Sequence, residues 1–196
     1  MTTSLTASLI SSIAQPGTVG QRLLLQCENE QAEHTAIDAL CRWLRRHTEA
    51  HFGLLMLRGA LISNINVAEN LWLMCSWHSA HKPAILLAEL RKHLAALAIA
   101  DDEAEELLCK RPSDLSLHEI RITLLLRSLM ITPQVLIFES DWFAGHGHAD
   151  RELMRLATPL LAHCHWWVVT DDADVPQTGM DWTAYDIHFF LNELLS

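Results

Sequence analysis

The stretch Pro112–Ser140, PSDLSLHEIRITLLLRSLMITPQVLIFES, decides how the chain is read. Ser116 followed three residues later by Glu119 has the form of a capping box, in which a serine hydroxyl and a glutamate carboxylate close a helix's first turn. The apolar run behind it predicts a helix to about Met130, and Pro133 stops that helix. Val135–Phe138 (VLIF) reads as a buried strand. Helix, turn and strand then end on a polar pair, Glu139–Ser140.

The same rhythm recurs on either side. Arg22–Gln26 (RLLLQ) reads as a buried strand, and Phe52–Leu57 (FGLLML) as another. Between them, Ala36, Ile37, Leu40, Cys41 and Leu44 fall at helical spacing within Glu33–Arg46. Val67–Cys109 reads as mostly helical, with breaks at Lys82–Pro83 and Asp101–Asp102. A helix at about Asp150–Ala162 and a strand at Trp166–Val169 follow. Residues 1–19 are small and polar and read as loosely ordered or as an edge element. Short apolar strands alternating with helices predict an α/β layer around a mainly parallel sheet. The expected organisation is one domain over 1–196, with a core of about 20–57 and 131–190 and a helical portion of about 59–130.

Half of the 196 residues are hydrophobic, enough for a substantial core. A net charge of −10 repels a phosphate backbone and argues against a nucleic-acid partner. The five cysteines are scattered and odd in number, which suits reduced thiols in a cytoplasm. No apolar run is long enough to predict a membrane span, and MTTSLTASLISSIAQPG lacks the basic start of a signal peptide, so a cytoplasmic location is expected. Seven tryptophans read first as core.

Pro112-Ser113-Asp114-Leu115-Ser116, a helix with Arg121 and Arg127, Pro133, and then Phe138-Glu139-Ser140-Asp141 resemble the ATP-binding subunit of ABC transporters. That family carries Pro-Ser-Glu-Leu-Ser-Gly-Gly-Met, a helix, and an apolar strand ending Phe-Asp-Glu-Pro at the same spacing. Upstream, GALISNINVAENLWL (Gly59–Leu73) is similar to the segment after the family's glutamine, and the Mla-type subunit of bacterial lipid transporters is the nearest pattern. The resemblance spans about Gly20 to Thr170. It implies a P-loop-NTPase-like α/β fold with an ABC-type helical subdomain. The β-subdomain looks trimmed, because only about ten residues separate Arg46 from Leu57.

At the family's chemical positions the residues differ. Its phosphate loop needs glycines for close backbone approach and a lysine for the outer phosphates. The aligned segment, CENEQAEHT (Cys27–Thr35), has no glycine, places Glu33 where the lysine would stand, and adds Glu28 and Glu30. One like-charge contact at about 5 Å costs about 3 kcal/mol at an effective dielectric near 20. Two such contacts remove about four decades of affinity, so no nucleotide cofactor is expected. The signature serine-glycine-glycine reads Ser116-Leu117-His118, and Glu119 can occupy that helix's amides itself. The magnesium-side aspartate is Glu139 and the catalytic glutamate Ser140. The switch histidine is Asp171, and the glutamine is Leu57. No aromatic precedes Trp43 to stack on adenine.

These departures predict a catalytically inactive, pseudo-ATPase subunit that binds or scaffolds, related to lipid transport. Its expected partner is a membrane permease subunit or an ATPase-like protein, met at the cytoplasmic face of the inner membrane. The expected docking surface is Gly59, Ala60, Leu61, Asn64, Asn66, Val67, Asn70 and Trp72. Trp72, Met74 and Trp77 sit at helical spacing, as core packing or as part of that surface. His146, His148, His163 and His165 form two His-x-His pairs, and a metal-dependent enzyme re-using the fold through them is the alternative. Nothing in the sequence fixes the distance between the pairs and no carboxylate completes them, so no metal is expected. Cys27 reads as a buried structural cysteine, because Glu28, Glu30 and Glu33 raise a thiol's pKa.

Overall fold

A computed structural model describes residues 5–13, 20–57, 61–78, 83–143, 147–171 and 182–195. The chain divides into two units, one of residues 1–52, 133–144 and 163–196 and the other of 53–132 and 145–162.

The first unit is built on strands β1 (Arg22–Gln26), β3 (Val135–Phe138), β4 (His165–Thr170) and β5 (Thr183–Asp186). With β2 (Phe52–Leu55) they form a five-stranded sheet in the order β2-β3-β4-β1-β5, and β1–β4, β1–β5 and β3–β4 all pair in parallel. All residues of β3 and β4 are buried, which is why they read as continuous apolar runs rather than alternating ones. Gly20 leads into β1 so close to Cys164 that a Cβ there would stand 1.8 Å from the Cys164 carbonyl oxygen. Only glycine allows that approach.

Helix α2 (Glu30–His47) lies against β4, burying Ala36, Ile37, Leu40, Cys41 and Leu44, the stripe the sequence predicted. Helix α8 (Ile187–Leu195) packs on α2 and is pinned there by Trp43, whose indole Nε1–H donates to the Leu194 carbonyl at 3.0 Å. Trp43, Trp142, Trp166 and Trp167 are fully buried, the core role expected of the tryptophans. Helix α1 (Leu5–Ile13) packs on α8 through a face that buries Leu9 and Ile13. The reading of residues 1–19 as an edge or loose segment is corrected there, because the apolar residues Leu9 and Ile13 lie one helical turn apart. Strand β5 and α8 were also not foreseen, since the exposed strand TAYD carries little apolar signal.

The second unit is helical. α3 (Val67–His78), α4 (Pro83–Ala96), α5 (Asp101–Cys109), α6 (Leu117–Met130) and α7 (His148–Leu160) make it, with α3, α4 and α7 all packed on α6. α7 belongs with these helices and not with the sheet. A buried ion pair ties it to α6. Arg121 of α6 donates from Nη1 to Asp150 Oδ2 of α7 at 2.6 Å, and His118 Nδ1 lies 2.6 Å from Oδ1 of the same carboxylate. In a segment whose apolar stripe is its main readable signal, such a polar anchor is invisible.

Candidate functional site

In an open parallel sheet, ligands meet the carboxyl ends of the strands and the helix that starts there. Here β1 ends at Gln26, and Cys27 donates its N–H to the Thr170 carbonyl at the end of β4, 2.8 Å away. The chain then turns through Glu28 and Asn29 into α2. Asn29 is the N-cap, its Oδ1 accepting the Ala32 N–H at 3.0 Å. The turn is made without glycine because an asparagine cap in extended backbone needs none.

Glu33, one turn into α2, is 2% exposed. Its carboxylate points at the end of β3, where Oε1 accepts the Ser140 N–H at 2.6 Å and Oε2 accepts the Ser140 hydroxyl at 2.9 Å. Next to it, His34 Nε2 stands 3.4 Å from Oε1 of the buried Glu139. Two residues expected at separate chemical positions, Glu33 and Ser140, are thus joined directly, as are His34 and Glu139. The role of His34 was not foreseen, and its only sequence signal is its place beside Glu33 in the first turn. Asp171, exposed just past β4, adds a further negative charge to the cluster.

Burial pushes the Glu33 carboxyl pKa up, the two Ser140 bonds oppose that, and repulsion from Glu139 and Asp171 adds to it. Burial raises the Cys27 thiol to about 11, helped by Glu33 and Asp171, so it is protonated at neutral pH and no nucleophile. The expected direction holds, but Cys27 is half-exposed rather than buried.

The start of α6 matches its sequence reading closely. Ser116 Oγ accepts the Glu119 N–H at 3.3 Å, and Glu119 Oε2 accepts both the Ser116 N–H and the Ser116 hydroxyl at 2.8 Å. Lys110 Nζ bonds Glu119 Oε1 at 2.8 Å and also Glu106 Oε1 at 2.6 Å. The lysine first and the Ser116 amide second hold the Glu119 carboxyl down to about 2.

The expected docking segment separates into surface and scaffold. Trp72 is 43% exposed and Ile62, unforeseen, 44%; Asn64 is exposed, while Leu61 and Asn66 are half-buried. Val67 and Asn70, expected as contact residues, are buried beneath that surface. Asn70 clamps the loop before α3: its Oδ1 accepts the Ile62 N–H at 2.8 Å, and its Nδ2 donates to the Ile62 and Asn66 carbonyls at 3.1 and 3.0 Å. Asn66 and Glu69 cap α3 reciprocally, each side chain accepting the other's N–H at 2.8 Å. Gly59, Ala60 and the Trp77 side chain lie outside the described residues. Leu57 is half-buried after β2, in the helical unit.

Of the histidines, His148 is exposed at the start of α7, and His163 is exposed in the turn before β4. His165 is buried, its Nδ1 accepting the Gln21 N–H at 3.2 Å; His146 lies outside the described residues. Among the described residues, no group of three histidine, cysteine or acidic side chains is placed to hold a metal ion.

No protein-family model matches the sequence, and neither does any curated protein. Solved structures do match. The dimeric structure of a bacterial ABC transporter cassette superposes with a TM-score of 0.63 at 15% identity, over 87% of this chain and 83% of that one. A nucleotide-free ATP-binding cassette from an ABC transporter gives 0.60 at 13% identity, over 87% and 78%. An inward-facing metal-chelate-type ABC transporter gives 0.57 at 13% identity, over 79% of this chain and 64% of that one. The fold is that of an ABC cassette. The expected P-loop-NTPase-like class is therefore correct, and the cassette-like chain bears its Glu33–Ser140 and His34–Glu139 pairs at the carboxyl ends of its sheet. No helix among the described residues is long and apolar enough to cross a membrane.

Proposed function

We propose that the chain is a catalytically silent, cassette-like subunit that binds, regulates or scaffolds within a transporter-type complex, in a lipid-transport setting. The observation that carries this reading is the bidentate use of Glu33 on Ser140. A triphosphate at this end of the sheet needs free backbone N–H groups and a cation. The segment Cys27–Thr35 offers neither glycine nor lysine, and the Ser140 amide is already taken by a carboxylate that repels phosphate. The start of α6, which in the family serves a phosphate across a dimer, is filled by Glu119 in the same way. With both stations filled by its own side chains, the chain supplies neither half of a shared nucleotide site. A holding or dampening role suits that better than a motor pairing.

The partner in this reading is a membrane permease subunit or an ATPase-like protein at the cytoplasmic face of the inner membrane. The contact runs over Leu61, Ile62, Asn64 and Trp72, with Asn66 and Asn70 shaping it from beneath. Two experiments test the reading. Calorimetry with millimolar magnesium-ATP gives no binding heat, whereas a micromolar dissociation constant or phosphate release overturns the silent assignment. Trp72→Asp and Leu61→Arg each reduce co-purification of a membrane partner, and unchanged recovery removes the surface.

A further inference from the structure

The helical unit holds a cleft of about 430 Å3 that takes in Glu119 at the start of α6 and otherwise lies outside the reading above. Its volume lies in the range of formed binding pockets. The buried side chains Leu97, Leu107, Ile122 and Leu153 give it an apolar floor. Glu103, Glu106, Glu119 and Glu152 also line it and are exposed or half-exposed, so they form its rim.

The rim's charges do not cancel. Lys110 bridges Glu106 and Glu119, and Arg155 is held by Glu152 at 2.6 and 2.7 Å. Glu103 reaches back to the Ala100 N–H at 3.5 Å, a neutral donor. Among the described residues, Lys110 and Arg155 thus answer part of four rim carboxylates, and His118 and His148, which also line the cleft, leave the rim acidic when neutral. That remaining negative charge excludes nucleic acid and anionic lipid, whose phosphates it repels. An apolar floor under an acidic rim complements an apolar side chain flanked by lysine or arginine, since the aliphatic stems cover apolar surface while their charged heads meet the carboxylates.

We propose that this cleft is a docking site for a partner protein's basic–apolar segment, an anchoring leucine, isoleucine or phenylalanine flanked by lysine or arginine. The apolar anchor supplies most of the affinity, and the rim supplies orientation and salt dependence. None of its lining residues belongs to the Trp72 surface or to the Glu33–Ser140 and His34–Glu139 pairs, and it does not depend on how either is read.

The test uses the full chain and a fluorescein-labelled amphipathic peptide of leucine and lysine, followed by fluorescence anisotropy. Ala149 lines the cleft and is exposed, so Ala149→Trp fills the space without touching the core. That variant and Glu103→Lys each weaken peptide binding about tenfold, equivalent to about 1.4 kcal/mol. Glu49→Lys, the same charge change on the sheet unit, leaves binding within about twofold, and a leucine–glutamate peptide does not bind. The proposal is overturned if Glu49→Lys matches Glu103→Lys, since attraction is then only to net charge. Undiminished binding by Ala149→Trp overturns it too.

Discussion

Replacing Glu33 separates hydrogen bonding from charge at the end of the sheet. In Glu33→Ala, the Ser140 N–H and hydroxyl lose acceptors at 2.6 and 2.9 Å. Each part-buried donor left unsatisfied costs about 1–3 kcal/mol. Relief from burying a carboxylate beside Glu139 and Asp171 returns part of this, so a net loss of about 2–3 kcal/mol is expected. At the size of this chain that lowers Tm by about 4–12 °C. Glu33→Gln behaves differently, because its amide oxygen accepts the Ser140 N–H and its amide nitrogen donates to the hydroxyl oxygen. The folded-state pKa of Glu33 is raised, so the carboxyl's contribution is greatest below the unfolded value near 4.3 and is lost as pH rises through the folded value. Glu33→Gln therefore matches wild type in acid and equals or exceeds it at about pH 8. Thermal melts of the three proteins between about pH 4 and 8 read both effects. If Ala costs nothing, the carboxylate does not hold Ser140. If Gln costs as much as Ala at pH 8, the anion itself is stabilising and the assigned direction of the shift is wrong.

Asp150→Ala removes the carboxylate that binds Arg121, which is 2% exposed, and loses about 3–5 kcal/mol in urea unfolding; a loss below about 1 kcal/mol refutes α7's anchoring by this pair. Glu119, held down to about 2, contributes stability that is full above its unfolded value near 4.3 and falls away as pH drops to about 2, so Glu119→Gln flattens the acid limb of a pH–stability curve. Ala98 sits at φ 57 after α4, where the Ile99 N–H closes back on the Leu94 carbonyl at 3.0 Å. Ala98→Gly relieves a left-handed alanine and stabilises by about 0.5–1 kcal/mol, visible as a higher Tm.

Legibility in the sequence followed the kind of force at work. β3, β4 and the buried stripe of α2 were readable because continuous or helically spaced apolar residues have few alternatives. The Ser116–Glu119 box was readable to the atom, since both partners lie within one turn of sequence. Glu33 and Ser140 were each singled out, yet their pairing was not, because they stand 107 residues apart and the bond depends on how β1 and β3 are placed. Asn70 was singled out through the resemblance of Gly59–Leu73, but its bonds were not legible: it is the acceptor and donor that shapes its own loop. Long-range polar pairs leave no periodicity, and periodicity is what a single sequence displays.

The two helix starts share one physical trade-off. A helix N-terminus carries unsatisfied N–H groups and a positive dipole end, and an anion from outside or a side chain from within can answer them. α2 answers with the Asn29 amide oxygen and with Glu30 and Glu33 in its first turn; α6 answers with Ser116 and Glu119. Acidic residues in that position stabilise the helix by about 0.3–1 kcal/mol each, and a cap contributes about 1 kcal/mol more. The Glu30 and Glu119 charges that steady these helices are therefore charges that compete with an external phosphate, and Glu33 competes by holding Ser140. Opening either site to an anion means removing its carboxylates; at Glu30 and Glu119 part of the helix's own stability goes with them, and at Glu33 the bonds to Ser140. Glycines alone at the turn after β1 do not make a phosphate cradle while Glu33 stays bonded to Ser140.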